Sequence, residues 1–227
     1  MCLIVVIVFV LSGCAVDTHE KTTQCLLIVR ERLRPDSAEA YNQNELQLAT
    51  VCAMLKCPHP YLALSSVKGP TEVWWLNAFT SPEERDDLEA AYARNEPLMA
   101  VMRPLGKRKE DFRESFTSTM TRYRQDLSGG AQLRIAGTRF FVVDTTYDEG
   151  NSAGAVFESA AGDRFVIAAA NNPERAEKIA ARSGPGAVVL AVQPQWSFPA
   201  DAWTTADPEF WNDTPVVRRR AASRSAS

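Results

Sequence analysis

Residues 72–84, Glu72-Val73-Trp74-Trp75-Leu76-Asn77-Ala78-Phe79-Thr80-Ser81-Pro82-Glu83-Glu84, carry a strand straight into a helix. Alternation sets Val73, Trp75, Asn77 and Phe79 on one face and Trp74, Leu76 and Ala78 on the other. Both faces are therefore largely apolar, which is the pattern of a sheet covered on both sides. The helix start is equally explicit, with Ser81 as N-cap, Pro82 at the first helical position and acidic residues in the first turn.

Working outward, Lys68-Gly69-Pro70 is a turn that joins this strand to another at 61–67 as a hairpin. Before it, residues 25–33 form a strand-like run ending at Pro35, and Asp36 with Glu39 predicts a capping box. The helix that follows carries Tyr41, Glu45, Leu48, Cys52 and Leu55 at 3–4-residue spacing and ends at Pro58 and Pro60. After the helix that starts at Pro82, a further helical stretch at 98–113 leads to a last strand at 116–123. The order is βαββαβ, the split-βαβ or ferredoxin-like arrangement. From Ser128-Gly129-Gly130 the pattern partly recurs, with strands at 139–147, 153–159 and 164–170, a helix to Ser183 and a strand at 187–193. Ala170-Asn171-Asn172-Pro173-Glu174 repeats the junction Phe79-Thr80-Ser81-Pro82-Glu83, and the first helix of the copy is cut down to the loop 148–152.

Residues 25–123 resemble the dimeric α+β barrel superfamily, the ferredoxin-like group that includes antibiotic-biosynthesis monooxygenases. The element order, Pro60-Tyr61-Leu62-Ala63-Leu64 and the strand 72–79 running into Ser81-Pro82-Glu83 carry the resemblance. It implies sheets packed face to face, satisfied either by the chain's two halves as an internal pseudo-dimer or by a homodimer. The fold class expected is α+β: two tandem ferredoxin-like units, βαββαβ followed by a degenerate βββαβ, packed as an α+β barrel. Haem-binding members of the superfamily hold iron through a histidine in their C-terminal domain. This chain has no histidine after His59, so neither haem nor any other cofactor is expected.

The candidate site is expected between sheet and helices. Asn77 is an amide on an apolar face beside Trp75, either a satisfied core amide or a group that orients a ligand's carbonyl or phenol. Glu45 interrupts the apolar stripe of the first helix. Turned toward the sheet it would have a raised pKa and serve as a general base; at the stripe's edge it would snorkel to water. These two are the candidate catalytic residues, with Trp75, Tyr41, His59 and Tyr61 as candidate ligand-binding residues. His59, between Pro58 and Pro60, reads as a turn residue or the lining of a pocket mouth. Arg103 and Lys107-Arg108-Lys109 form a basic patch read as a solvated face. No metal-ligand spacing, Gly-rich phosphate loop or Gly-x-Ser-x-Gly elbow occurs.

The first sixteen residues are uncharged and end in Leu11-Ser12-Gly13-Cys14, a secretory-signal pattern that also resembles a bacterial lipobox with Cys14 as the lipidated residue. The expected organisation is a signal peptide at 1–16, a linker at 17–24, a ferredoxin-like domain at 25–125, a degenerate second one with an aromatic extension at 126–212, and a disordered tail at 213–227. In that extension, Trp196, Trp203, Phe210 and Trp211 are read as anchors on the core. Cys25, Cys52 and Cys57 are an odd set; an exported protein would pair Cys52 with Cys57, and three buried thiols are the alternative. The net charge is −3, and four of the 25 basic residues sit in the last ten positions. That leaves the body acidic and argues against nucleic acid as a partner. The function expected is that of a cell-envelope lipoprotein, lipid-anchored with its domain facing the periplasm or exterior, that binds a small hydrophobic molecule. The alternatives are a cofactor-independent monooxygenase or isomerase and a structural scaffold.

Overall fold

The structure, a computed structural model, describes residues 22–146, 154–212 and 214. The leader with Cys14, the loop 148–152 and nearly all of the tail 213–227 lie outside the described residues. Eight strands form one closed antiparallel barrel: β1 (Cys25–Leu33), β2 (Leu62–Ser66), β3 (Glu72–Phe79), β4 (Arg113–Tyr123), β5 (Phe140–Asp144), β6 (Ala155–Ser159), β7 (Arg164–Ala170) and β8 (Val188–Val192). Around the barrel the order is β1-β3-β2-β8-β5-β7-β6-β4. Within the first half that order is 4-1-3-2, and in the second the corresponding strands run 8-5-7-6, so the halves share one topology. Two seams close the ring. Leu64 pairs with Val192 across β2 and β8, and Thr121 with Ser159 across β4 and β6. The expected α+β barrel is thus built within a single chain.

Six helices complete the described residues: α1 (Ala38–Leu55), α2 (Pro82–Arg94), α3 (Glu96–Arg108), α4 (Pro173–Ala180), α5 (Asp201–Ala206) and α6 (Pro208–Trp211). The repeated junctions are structurally equivalent. Ser81 and Asn172 both sit in extended backbone, and each side chain accepts a hydrogen bond from the backbone N–H three residues on, Glu84 and Arg175. The capping box expected at Asp36 and Glu39 does not form. Asp36 adopts a left-handed conformation (φ 64°), Ser37 takes the cap position without a side-chain bond, and Glu39 accepts from Gln43 instead. The stretch expected as one helix over 98–113 is α3 followed by a 3-10 turn at Lys109–Asp111, and β4 begins three residues earlier than its pattern suggested.

Inward-facing residues of both halves fill the barrel with one apolar core that includes Leu26, Leu64, Trp74, Phe141, Phe157 and Leu190. Segments after β8 close one end of it. Phe198 bridges to Tyr61, Trp203 and Trp211 join the core, and Arg139 pairs with Asp207 while stacking on Phe210. Cys52 and Cys57 form a disulfide at the C-terminus of α1, leaving Cys25 as a buried free thiol.

Candidate functional site

Glu45 does not snorkel. It sits at the centre of α1's inward stripe, 1% exposed, one turn from Tyr41, which meets Glu31 on β1 and packs with Val73 and Trp75 on β3. The hub of the resulting cluster is Glu31 on β1, also 1% exposed. Its Oε2 accepts from the Tyr41 hydroxyl and from Trp75 Nε1 (3.2 Å) and lies 2.9 Å from Lys109 Nζ, while its Oε1 accepts from Arg113 Nη1 at 2.8 Å. Lys109 also approaches Glu45 Oε1 at 3.2 Å and lies over the Trp75 and Tyr41 rings. That approach is off-angle for hydrogen bonding, and Glu45 Oε1 is a buried acceptor without a hydrogen bond. Lys109 is therefore not part of a solvated patch: its side chain is 12% exposed and bridges two buried carboxylates.

The two carboxylates differ in their electrostatics. Burial alone would raise the Glu31 carboxyl, yet Lys109, Tyr41 and Trp75 together hold it below its ordinary value. Burial raises Glu45, the neighbouring Glu31 carboxylate adds to the rise, and Lys109 only partly opposes it. Burial and the same two carboxylates push the Tyr41 hydroxyl up. Glu45 is thus the member of the cluster whose charged form its surroundings disfavour. A carboxyl whose folded-state pKa is raised loses stability as pH climbs above the ordinary carboxylate range. Glu45→Gln is therefore expected to melt higher than the wild type at pH 7 and to match it near pH 4; equal melting temperatures at both pH values would refute this charge assignment.

The sheet face beside the cluster is incompletely covered. On β3, Val73 and Phe79 are each 1% exposed, but Trp75 and Asn77 between them are only half-buried. Their register partners on β1, Val29 and Leu27, are half-buried too, and next across lie exposed Ser118 and half-buried Met120 on β4. Two mainly apolar rows of the sheet, Leu27 with Asn77 and Val29 with Trp75, thus form a floor less completely covered than the strand ends, with the Glu31 cluster at one end. Asn77 makes no side-chain hydrogen bond among the described residues, which leaves its amide available to a ligand.

Of the candidate residues, the fold gathers Tyr41, Glu45 and Trp75 at the cluster. Tyr61 borders it, its ring 5.7 Å from Trp75 and its hydroxyl on Cys52 Sγ. Asn77 lies one row along the floor. His59 is elsewhere: it is buried, stacked on Phe79, and within 3.1 Å of the Ala78 carbonyl. Glu31, Lys109 and Arg113 were missed. Glu31 had a signal, because it stands in the apolar phase of its strand between Val29 and Leu33, the same kind of interruption that marks Glu45. Among the described residues no group of three or more His, Cys, Asp or Glu could hold a metal ion.

No family model matches the chain, and no curated protein does. Among solved structures it is similar to a monooxygenase-like protein of Fusobacterium nucleatum subsp. nucleatum, at 8% identity over 78% of this chain and 94% of that one, with a TM-score of 0.44. It is also similar to a chlorite dismutase-like protein, at 12% identity over 81% and 98% (TM-score 0.42). A third is an anthrone oxidase-like protein, at 13% identity over 90% and 85% (TM-score 0.38). The likeness is one of fold.

Proposed function

We propose that the chain binds a small, largely apolar molecule on the incompletely covered helix-side face of its first sheet, with a polar group of the ligand meeting Asn77 and, at the closed end, Glu45. The interrupted burial along β3 carries this reading. A strand sealed at Val73 and Phe79 but less covered between them presents Trp75 and Asn77, and apolar floors with a few convergent polar groups are the usual form of small-molecule sites. The barrel interior is a less suitable place, because Trp74, Phe141 and Phe157 occupy it.

The test uses the environment-sensitive dye 8-anilinonaphthalene-1-sulfonate. Leu27→Trp fills the floor from a half-buried position and is expected to abolish dye enhancement while leaving the melting temperature within about 2 °C of the wild type, as for a tolerated near-surface change. Asn77→Ala is expected to weaken displacement of the dye by hydroxylated competitors more than by hydrocarbons. Undiminished dye binding by Leu27→Trp would eliminate this site.

A catalytic role is the second reading, favoured by one observation: Glu45 is a buried carboxyl with a raised pKa at the head of the floor. In that case Glu45 accepts a proton from the bound molecule and Lys109 steadies the resulting charge. Glu45→Gln then abolishes turnover while retaining binding.

The cell envelope is the proposed location, with Cys14 as lipid anchor. The apolar leader supports it, as does the Cys52–Cys57 disulfide, a bond that persists in oxidising compartments. Cys14→Ala is expected to move the protein from the membrane pellet to the soluble fraction; an unchanged distribution would exclude the anchor.

A further inference from the structure

Along the outer face of the second half, α4 leaves a groove on each side. Toward β5 and β8 the groove is about 460 Å³ and mainly apolar, lined by Val67, Phe140 and residues 187–189 and spanned by the Lys68–Glu177 ion pair. Toward β7 it is about 640 Å³ and of different chemistry. Its floor is β7 at Ala168 and Ala169, where the small Ala168 side chain faces outward, and its wall carries Arg175 and Lys178 on α4 with Arg182 two residues beyond the end of that helix. A second groove of about 410 Å³ continues from it, sharing both alanines and Arg175 and adding Arg134. Four cations therefore border one continuous depression in a chain whose net charge is −3. Arg134, Arg175 and Lys178 make no ion pair among the described residues, and Glu174, the carboxylate in the lining, pairs with none of them. A concave surface in which one sign of charge predominates, here four cations against Glu174, focuses its field and concentrates counter-ions.

We infer that this double groove binds a small soluble polyanion carrying at least two phosphate groups, held by Arg175 and Lys178 on one side and Arg134 on the other. Residues three apart on a helix lie about 5 Å from each other along one face, so Arg175 and Lys178 match adjacent phosphoryl groups, and arginine's planar fork suits phosphate oxygens in pairs. The depth of the groove favours a small molecule over a flat lipid surface. The site is separate from the floor on the first sheet, and neither proposal depends on the other.

Titration calorimetry of the full chain with inorganic pyrophosphate, at low and at physiological salt, tests it. The wild type is expected to bind at a single saturable site that weakens with salt. Arg175→Glu/Lys178→Glu is expected to lose about tenfold or more in affinity, and Arg134→Glu a smaller factor. A control reversal on α3, Arg103→Glu/Lys107→Glu, removes the same charge elsewhere and is expected to bind as the wild type does. Should the reversal variant fail to melt cooperatively, Arg175→Ala and Lys178→Ala singly replace it. Equal losses in the groove and control variants, absence of saturable binding, or binding only to phosphatidylglycerol vesicles would each overturn the inference.

Discussion

Glu31→Ala is expected to lower the stability of the protein by about 3–5 kcal/mol, because removing one member of a buried charge network leaves the others uncompensated. Lys109 would keep only its off-angle approach to Glu45, Arg113 would lose its carboxylate, and the Tyr41 hydroxyl and Trp75 Nε1 would lose their acceptor together. For a chain of this length that corresponds to a fall in melting temperature on the order of 10 °C. The variant also changes the pH response in a defined sense. Glu31 is held below its ordinary pKa, so its stabilisation is present above the ordinary carboxylate range and is lost as pH falls. Glu31→Ala should therefore lose part of the wild type's sensitivity to acid. Thermal melts from pH 3 to pH 8 decide the matter: a drop below about 1 kcal/mol at pH 7, the scale of an exposed pair, would show that the network is solvated.

Trp211→Ala is expected to cost about 3–5 kcal/mol, the range for truncating a large buried aromatic. Trp211 is 2% exposed, packs edge-on against Phe210 and tilts toward Trp203, and both tryptophans belong to the barrel core. Urea unfolding should show a lower midpoint with one cooperative transition. If instead the extension melts separately and the barrel midpoint stays fixed, residues 196–211 are an appendage rather than a plug.

Much of this architecture was written locally. The Ser81-Pro82 and Asn172-Pro173 junctions combine extended caps, first-turn prolines and acidic residues within five positions, and both helices start where that chemistry places them. The hairpin through Gly69, which needs a positive φ, was equally plain. Closure was less so, since the seams between β2 and β8 and between β4 and β6 are pairings of distant segments, available only through the resemblance. At the candidate site, Glu45 was visible as a defect in a helical stripe. Its partners were harder to read: Glu31 interrupts the apolar phase of its strand but is flanked by Arg30 and Arg32, so it also reads as a charged strand end, and Lys109 follows two exposed basic residues on α3. Which member of such a run turns inward depends on the 3-10 turn at Lys109–Asp111, where the helical period stops. The grooves beside α4 were illegible for a related reason. They are shaped by what packs on the outer face of the second sheet, and composition carries no trace of that.

The seam between β2 and β8 also bears on how the protein comes into being. Leu64 waits for Val192, and the side chains of Gln193 and Ser65 that bond beside it are 128 positions apart. During synthesis the first half can assemble β4-β1-β3-β2 by itself, but its inward face, with Leu26, Ile28, Leu62, Trp74 and Leu76, then stands uncovered and β2 presents a raw edge. Such surfaces recruit other chains. The interval between emergence of residue 66 and residue 192 is thus the period of greatest aggregation hazard, and high contact order slows the final step further. Truncations ending before β8 should therefore partition into inclusion bodies even though they contain a whole ferredoxin-like unit.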